Sequence, residues 1–182
     1  MTIRLKVLKS AVWLLLPLVT APAAYSSDWR EILKERIPLY GHRNWIVVAD
    51  SAYPVQSREG IETVVSNASE LDVLKEVLDD LSSSQHVRPV AYTDRELAYI
   101  DESDAPGVTA YRNELASLLP DAQSNAQLHS KLISDLDGTA QTFRILIIKT
   151  NMTIPYTSVF IQLNCKYWSD AAEQKLRALM AK

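Results

Sequence analysis

The stretch Gly41-His42-Arg43-Asn44-Trp45-Ile46-Val47-Val48-Ala49-Asp50-Ser51-Ala52-Tyr53-Pro54 decides the fold. Its centre, Trp45 to Ala49, is an unbroken apolar run with three β-branched residues in a row. It lacks the alternation of a strand with one wet face, so it reads as a strand covered on both sides, the signature of a central strand in a layered α/β sheet. A polar-aromatic loop, Asp50 to Pro54, ends it. Asp50 therefore stands at the carboxyl edge of a central strand, where open α/β sheets bind ligands.

Reading outward, Asp28 to Ile37 places Trp29, Ile32, Leu33 and Ile37 on one helical face, with Ser27 or Asp28 as cap and Pro38 as stop. Ile61 to Val65 reads as a second short strand. Leu71, Leu74, Val77, Leu78 and Leu81 mark a helix started by Ser69, with Glu70 and Asp72 in its first turn, where carboxylates suit the helix dipole. Val87 to Tyr92 reads as a strand, Asp94 to Asp104 as a charged loop, and Pro106 to Leu119 as a helix stopped by Pro120. Gln127 to Leu136 reads as a short helix or a strand-helix junction. Phe143 to Ile148 and Ser158 to Leu163 are strands around a Pro155-Tyr156 loop, and Ser169 to Lys182 is an amphipathic helix. Strands alternating with helices throughout give a three-layer α/β/α sandwich with an added C-terminal helix.

The first residues read as a leader. Arg4, Lys6 and Lys9 precede the apolar run Ala11 to Val19, and Ala21-Pro22-Ala23 supplies small residues; this is the pattern of a secretory signal peptide. The run is short of the roughly 20 residues that cross a bilayer, so no stable membrane insertion is expected after its removal. The expected organisation is a signal peptide over 1–26, a domain over 27–168 and a C-terminal helix over 169–182, in a protein that is exported, periplasmic or secreted.

Composition narrows the function. The 182 residues carry 19 Lys+Arg against 22 Asp+Glu; without the leader's three cations the balance is 16 against 22, a net charge of −6. An acidic chain with no basic run is a poor nucleic-acid partner, because such binding rests on neutralising phosphates. One cysteine, Cys165, cannot form a disulfide within the chain, and three histidines with no metal spacing predict no metal site. P-loop, dinucleotide-turn and nucleophile-elbow motifs are absent from the sequence. What remains is His42 before the central strand and Asp50 after it. At ~3.3 Å per residue one strand holds them far apart, so they serve one small ligand only if the chain turns or a second subunit supplies one of them. Alternatively, His42 is a loop residue and Asp50 a turn former. Tyr53 is a candidate stacking platform for a ligand. Trp29 and Trp45 read as core, and His86 as solvated, as are Arg95, Glu96, Asp101, Glu102 and Asp104.

Gly41 to Ser57 resembles the opening motif of the ribose pyranase/fucose mutarotase (RbsD/FucU) family: Gly-His, an apolar strand, Asp, a short step and Pro. The likeness continues through the helix Ser69 to Leu81, the strand Val87 to Ala91, Tyr111-Arg112-Asn113 and the closing strands Ile145 to Leu163, nearer the fucose branch. The resemblance implies interconversion of sugar anomers, or of pyranose and furanose forms, without a cofactor, in ring-shaped homo-oligomers with sites at subunit contacts. It matches His42, Asp50 and Tyr156 to catalytic residues and implies substrate-binding roles for Tyr53, Tyr111, Arg112 and Ser158. His129 approximates a histidine of the ribose branch at a different spacing. Ser158 stands where the family has Asn, Gln56 where the fucose branch has a second loop His, and Val64 to Asn67 where it has Arg-Ala-Asp-Gly. The expected function is an exported mutarotase-like isomerase acting on a monosaccharide by acid–base catalysis. The alternatives are a non-catalytic monosaccharide-binding protein and a structural oligomer with a degenerate site.

Overall fold

The computed structural model describes residues 28–119 and 125–181; the expected leader lies outside the described residues. The chain runs α1 (Trp29–Arg36), a 3₁₀ turn (Ile37–Leu39), β1 (Trp45–Ala49), β2 (Ile61–Val65), α2 (Glu70–Ser83), β3 (Val87–Asp94) and a second 3₁₀ turn (Arg95–Tyr99). It continues with α3 (Val108–Leu118), β4 (Ala126–Gln127), α4 (His129–Thr139), β5 (Ile145–Lys149), β6 (Val159–Cys165) and α5 (Asp170–Met180).

Among the described residues the strands form one six-stranded sheet in the order β2-β5-β1-β6-β3-β4. β1 pairs in parallel with β5, Trp45 opposite Ile145, and antiparallel with β6, Trp45 opposite Gln162. β6 also runs antiparallel to β3, so β1, β3 and β5 all point the same way and their carboxyl ends share one edge.

The side-chain period of two explains why β1 is apolar throughout. Ile46 and Val48 enter a core with Leu33 of α1, Val73, Leu74 and Val77 of α2 and Leu115 of α3. Trp45, Val47 and Ala49 face the other way, into a second core with Leu132 and Leu136 of α4. Helices thus cover both faces of the sheet, the expected three-layer sandwich. Gly60 sets the approach of α4 to the sheet's edge: a Cβ there would lie 2.3 Å from the Ala140 carbonyl oxygen, so only glycine fits between β2 and the end of α4.

Two expectations are corrected, and a third element forms as expected but without a partner surface. His86 is half-buried, with Nε2 2.9 Å from the Tyr40 carbonyl and Nδ1 3.0 Å from Ser84 Oγ, so it ties the end of the first 3₁₀ turn to the start of β3. The segment Asp94 to Asp104 is more ordered than a solvated loop. Asp94 closes β3, a 3₁₀ turn follows, and the Glu102 carboxylate accepts the backbone N–H groups of Gly107 and Thr109, capping α3. Finally, α5 forms with Ser169 as its cap, yet none of its residues is buried, and Leu179 and Met180 are 57% and 69% exposed. Its apolar face does not pack on the rest of the described chain.

Candidate active site

The carboxyl edge of the sheet carries a cleft of about 620 Å³ between the loop after β1, the start of α4 and the loop joining β5 to β6. Asp50, Tyr53, Gln56, His129 and Tyr156 line it. Its position follows from topology: parallel strands end here, and their connections must rise above the sheet before turning back.

Asp50 is fixed by three hydrogen bonds. Ser158 Oγ donates to Oδ2 at 3.0 Å and accepts the Asp50 N–H at 3.2 Å, while the Ala52 N–H donates to Oδ1 at 2.8 Å. Ser158, the first residue after the Tyr156 loop, therefore holds the carboxylate in place from the antiparallel neighbour.

His129 begins α4 and presents Nδ1 to both oxygens of Asp94, each at 3.1 Å. Asp94 is 2% exposed and comes from the end of β3. Burial raises the Asp94 carboxyl well above the ordinary aspartate range; the facing His129 opposes the rise, and the nearby Glu96 and Asp50 carboxylates add to it. The Glu96 carboxylate also receives the His129 backbone N–H, at 3.0 and 3.1 Å, and so supports the first turn of α4. The result is a half-exposed imidazole whose one nitrogen is engaged by a buried carboxylate, leaving Nε2 for exchange with a ligand. The Tyr156 ring meets the His129 ring edge-on, 5.5 Å between centroids. Tyr156 itself stands in left-handed backbone at φ 59°, a conformation that costs a non-glycine residue about 1 kcal/mol or more and must be held by its surroundings.

Two of the cleft's residues each bury a polar atom, the Tyr53 hydroxyl and Gln56 Oε1, that has no hydrogen-bond partner among the described residues. Burial, with Asp94 and Asp50 adding, raises the Tyr53 phenol and keeps it neutral.

The cleft brings together Asp50, Tyr53 and Tyr156, with Ser158 supporting Asp50 from below. It does not gather the other expected residues. His42 is exposed in the turn before β1, at the opposite end of the strand. Tyr111 is 4% exposed, its hydroxyl within hydrogen-bond reach of Glu70 and of the Thr157 carbonyl, so it belongs to the core beneath the cleft. Arg112 donates to the Leu97 and Ile100 carbonyls and lines a separate groove, where it braces the segment after β3. The sequence underrated His129 and missed Asp94; the signal lay in a histidine opening a helix opposite an aspartate closing a strand, 35 residues apart.

No family model and no curated protein matches the chain. Two solved structures do match. RbsD from Bacillus subtilis, complexed with D-ribose, superposes with a TM-score of 0.51 at 15% identity, over 73% of this chain and 91% of that one. FucU from Bifidobacterium longum superposes with a TM-score of 0.50 at 14% identity, over 74% of this chain and 94% of that one.

The chain has the RbsD/FucU fold.

On this RbsD/FucU scaffold the carboxylate, imidazole and phenol of the cleft form an acid–base set. An imidazole can take and return a proton, a buried aspartate fixes its orientation, and a phenol can donate without ionising. Among the described residues no group of three His, Cys, Asp or Glu side chains is placed to hold a metal ion. No helix among them is long and apolar enough to cross a membrane.

Proposed function

We propose that this chain is a mutarotase-like isomerase that interconverts the anomers, or the pyranose and furanose forms, of a monosaccharide by acid–base catalysis. The observation that carries this reading is the convergence of Asp50, Tyr156 and the Asp94-backed His129 on one cleft of the RbsD/FucU fold. Ring opening needs a proton delivered to the ring oxygen while the anomeric hydroxyl loses one. Reclosure on the other face of the carbonyl reverses both transfers. In this reading His129 Nε2 accepts the anomeric proton, Tyr156 donates to the ring oxygen, and Asp50 orients the sugar through charge-assisted bonds to its hydroxyls. Tyr53 and Gln56 form part of the wall around the sugar. No cofactor takes part. His42 enters this mechanism from a neighbouring subunit of a ring-shaped homo-oligomer, since its own strand carries it away from the cleft. The reading includes export, supported by the basic start and short apolar run before residue 27; N-terminal sequencing of the mature protein is expected to begin near residues 24–27.

The test is anomer exchange by NMR magnetisation transfer on a panel of monosaccharides. Exchange above the spontaneous rate, lost in His129→Ala, is expected; no acceleration on any sugar would overturn the enzymatic reading. A second reading, a monosaccharide-binding protein without catalysis, is favoured by the segment after β2. Val65 is exposed there and Ser66 Oγ is spent on the Lys149 carbonyl, so neither supplies a charged group to a ligand. Calorimetric binding of a sugar that is not exchanged would select it.

A further inference from the structure

Beneath the cleft lies a carboxyl group that the mechanism above does not use. Glu70 opens α2 and is 0% exposed. Tyr111 Oη lies 2.9 Å from its Oε1, and Thr157 Oγ1 lies 3.0 Å from its Oε2. Each of these hydroxyls also has a backbone carbonyl in reach: Thr157 O is 2.8 Å from Tyr111 Oη, and Ile154 O is 2.9 Å from Thr157 Oγ1. The two carbonyls bracket Pro155 and Tyr156, the turn whose left-handed residue presents its ring to His129.

Proton counting separates the two states of Glu70. An ionised carboxylate brings no proton, so the two hydroxyl protons can fill only two of the four contacts. A protonated acid brings a third: it donates to one hydroxyl, which passes its own proton to a carbonyl, while the other hydroxyl stays bonded. In a site closed to water each unfilled contact is a desolvated acceptor with nothing in exchange.

We propose that Glu70 is a protonated positioning residue that locks the Ile154 to Thr157 turn, and with it the Tyr156 ring, so that the cleft keeps its geometry only while this acid holds its proton. The lock stands on the packing alone; its consequence for catalysis rests on the sugar-exchange reading above.

The titratable groups facing Glu70 are Tyr111 from α3, Asp50 from the end of β1 and Asp94 from the end of β3. Burial is the largest influence and pushes the Glu70 carboxyl up to about 8, against the hydroxyls of Tyr111 and Thr157 and with the help of Asp50 and Asp94. Tyr111 is itself raised by burial and by Glu70 and stays neutral throughout. A solvated glutamate titrates near ~4.3, so between that pH and about 8 the closed turn carries one proton more than the open one. The lock is therefore at full strength at the acid end, weakens as pH rises through this window, and levels off above it.

The experiment follows the Glu70 side-chain carboxyl carbon and the Tyr156 ring resonances by NMR from pH 5 to 10, in the unaltered protein and in Glu70→Gln. The glutamine keeps a donor and an acceptor but has no proton to lose. The expected result is a Glu70 midpoint about pH 8, a Tyr156 ring shift with the same midpoint, and no such shift in Glu70→Gln. With an active sugar, exchange by the unaltered protein falls about tenfold between pH 7 and 9 while Glu70→Gln holds its rate. A Glu70 midpoint near ~4.3 overturns the proposal. So does a Tyr156 ring that ignores the Glu70 titration, or one that titrates equally in Glu70→Gln. Exchange absent on every sugar, with the coupled titration intact, overturns the sugar reading and leaves the lock standing.

Discussion

The two ends of β1 are made of similar material and treated in opposite ways. At the carboxyl end Asp50 is bonded to Ser158 and Ala52, and Asp94 to His129. Glu70 is held below them by Tyr111 and Thr157. At the amino end His42 and Arg43 are exposed, Arg43 at φ 77° with its guanidinium 5.8 Å from the Phe143 ring. β6 runs back to that same end and delivers exposed Tyr167, Trp168 and the uncovered apolar face of α5. The contrast teaches where the chain is self-sufficient. Polar groups taken out of water must find partners within the fold; Asp50, Asp94 and Glu70 have found theirs, while the Tyr53 hydroxyl and Gln56 Oε1 have none among the described residues. At the amino edge His42 and Arg43 stay in water.

This contrast can be broken at either end. The largest effect is expected from His129→Ala, which removes the acid–base group of the proposed mechanism and would lower sugar exchange by about 10²–10⁴-fold; a loss below tenfold would take the chemistry away from this cleft. Next comes His42→Ala. Its exposed position predicts a change in folding stability within about 0.5 kcal/mol, yet exchange drops if a neighbour's His42 completes each site. Mixing His42→Ala with Asp50→Asn subunits then restores activity at contacts that pair an intact half of each, and failure of the mixture to recover would confine the site to one chain. Ser158→Ala strips Asp50 of its hydroxyl partner and is expected to lower stability by about 1 kcal/mol, measured by urea unfolding. The smallest effect belongs to deletion of α5 after Trp168. With no buried residue on that helix, the melting temperature of the isolated domain is unchanged, and any shift in oligomer mass by light scattering would identify the amino edge as a subunit contact.

The layered fold was legible in the sequence because its strongest physical demand, a strand buried on both faces, leaves a run that hydrophobicity alone reveals. Trp45 to Ala49, Ile61 to Val65 and the helix after Ser69 were read with their boundaries nearly intact. At β4 the reading left a short helix and a strand-helix junction both open, and the junction is what forms: two residues, Ala126 and Gln127, are too few to show any period, and their pairing depends on Thr93 and Asp94 far upstream. The site was half legible. Asp50 followed from its place at a strand end, but Asp94 carries the same letter as the solvated acids after it, and only the fold separates them. Glu70 is the sharper case. An acid in the first turn of a helix normally faces water and favours the helix dipole, whereas this one is turned inward by contacts from α3 and from the loop before β6. Tyr111 and Arg112 show the converse, two residues matched to a ligand role that instead hydrogen-bond to Glu70 and to backbone carbonyls inside the chain.

The pairing of β1 also sets an order of events in the making of the protein. Both of its neighbours come from the far end of the chain: Trp45 lies opposite Ile145 on one side and Gln162 on the other. Closing loops of about a hundred residues costs entropy before any pairing rewards it, which slows folding. During synthesis α1, α2 and β3 emerge with the central strand unpaired at both edges, and the sheet cannot close until β6 is complete. The Trp45 to Ala49 strand is thus the last to be shielded although among the first to be made, which makes it the segment whose exposure a nascent chain must survive.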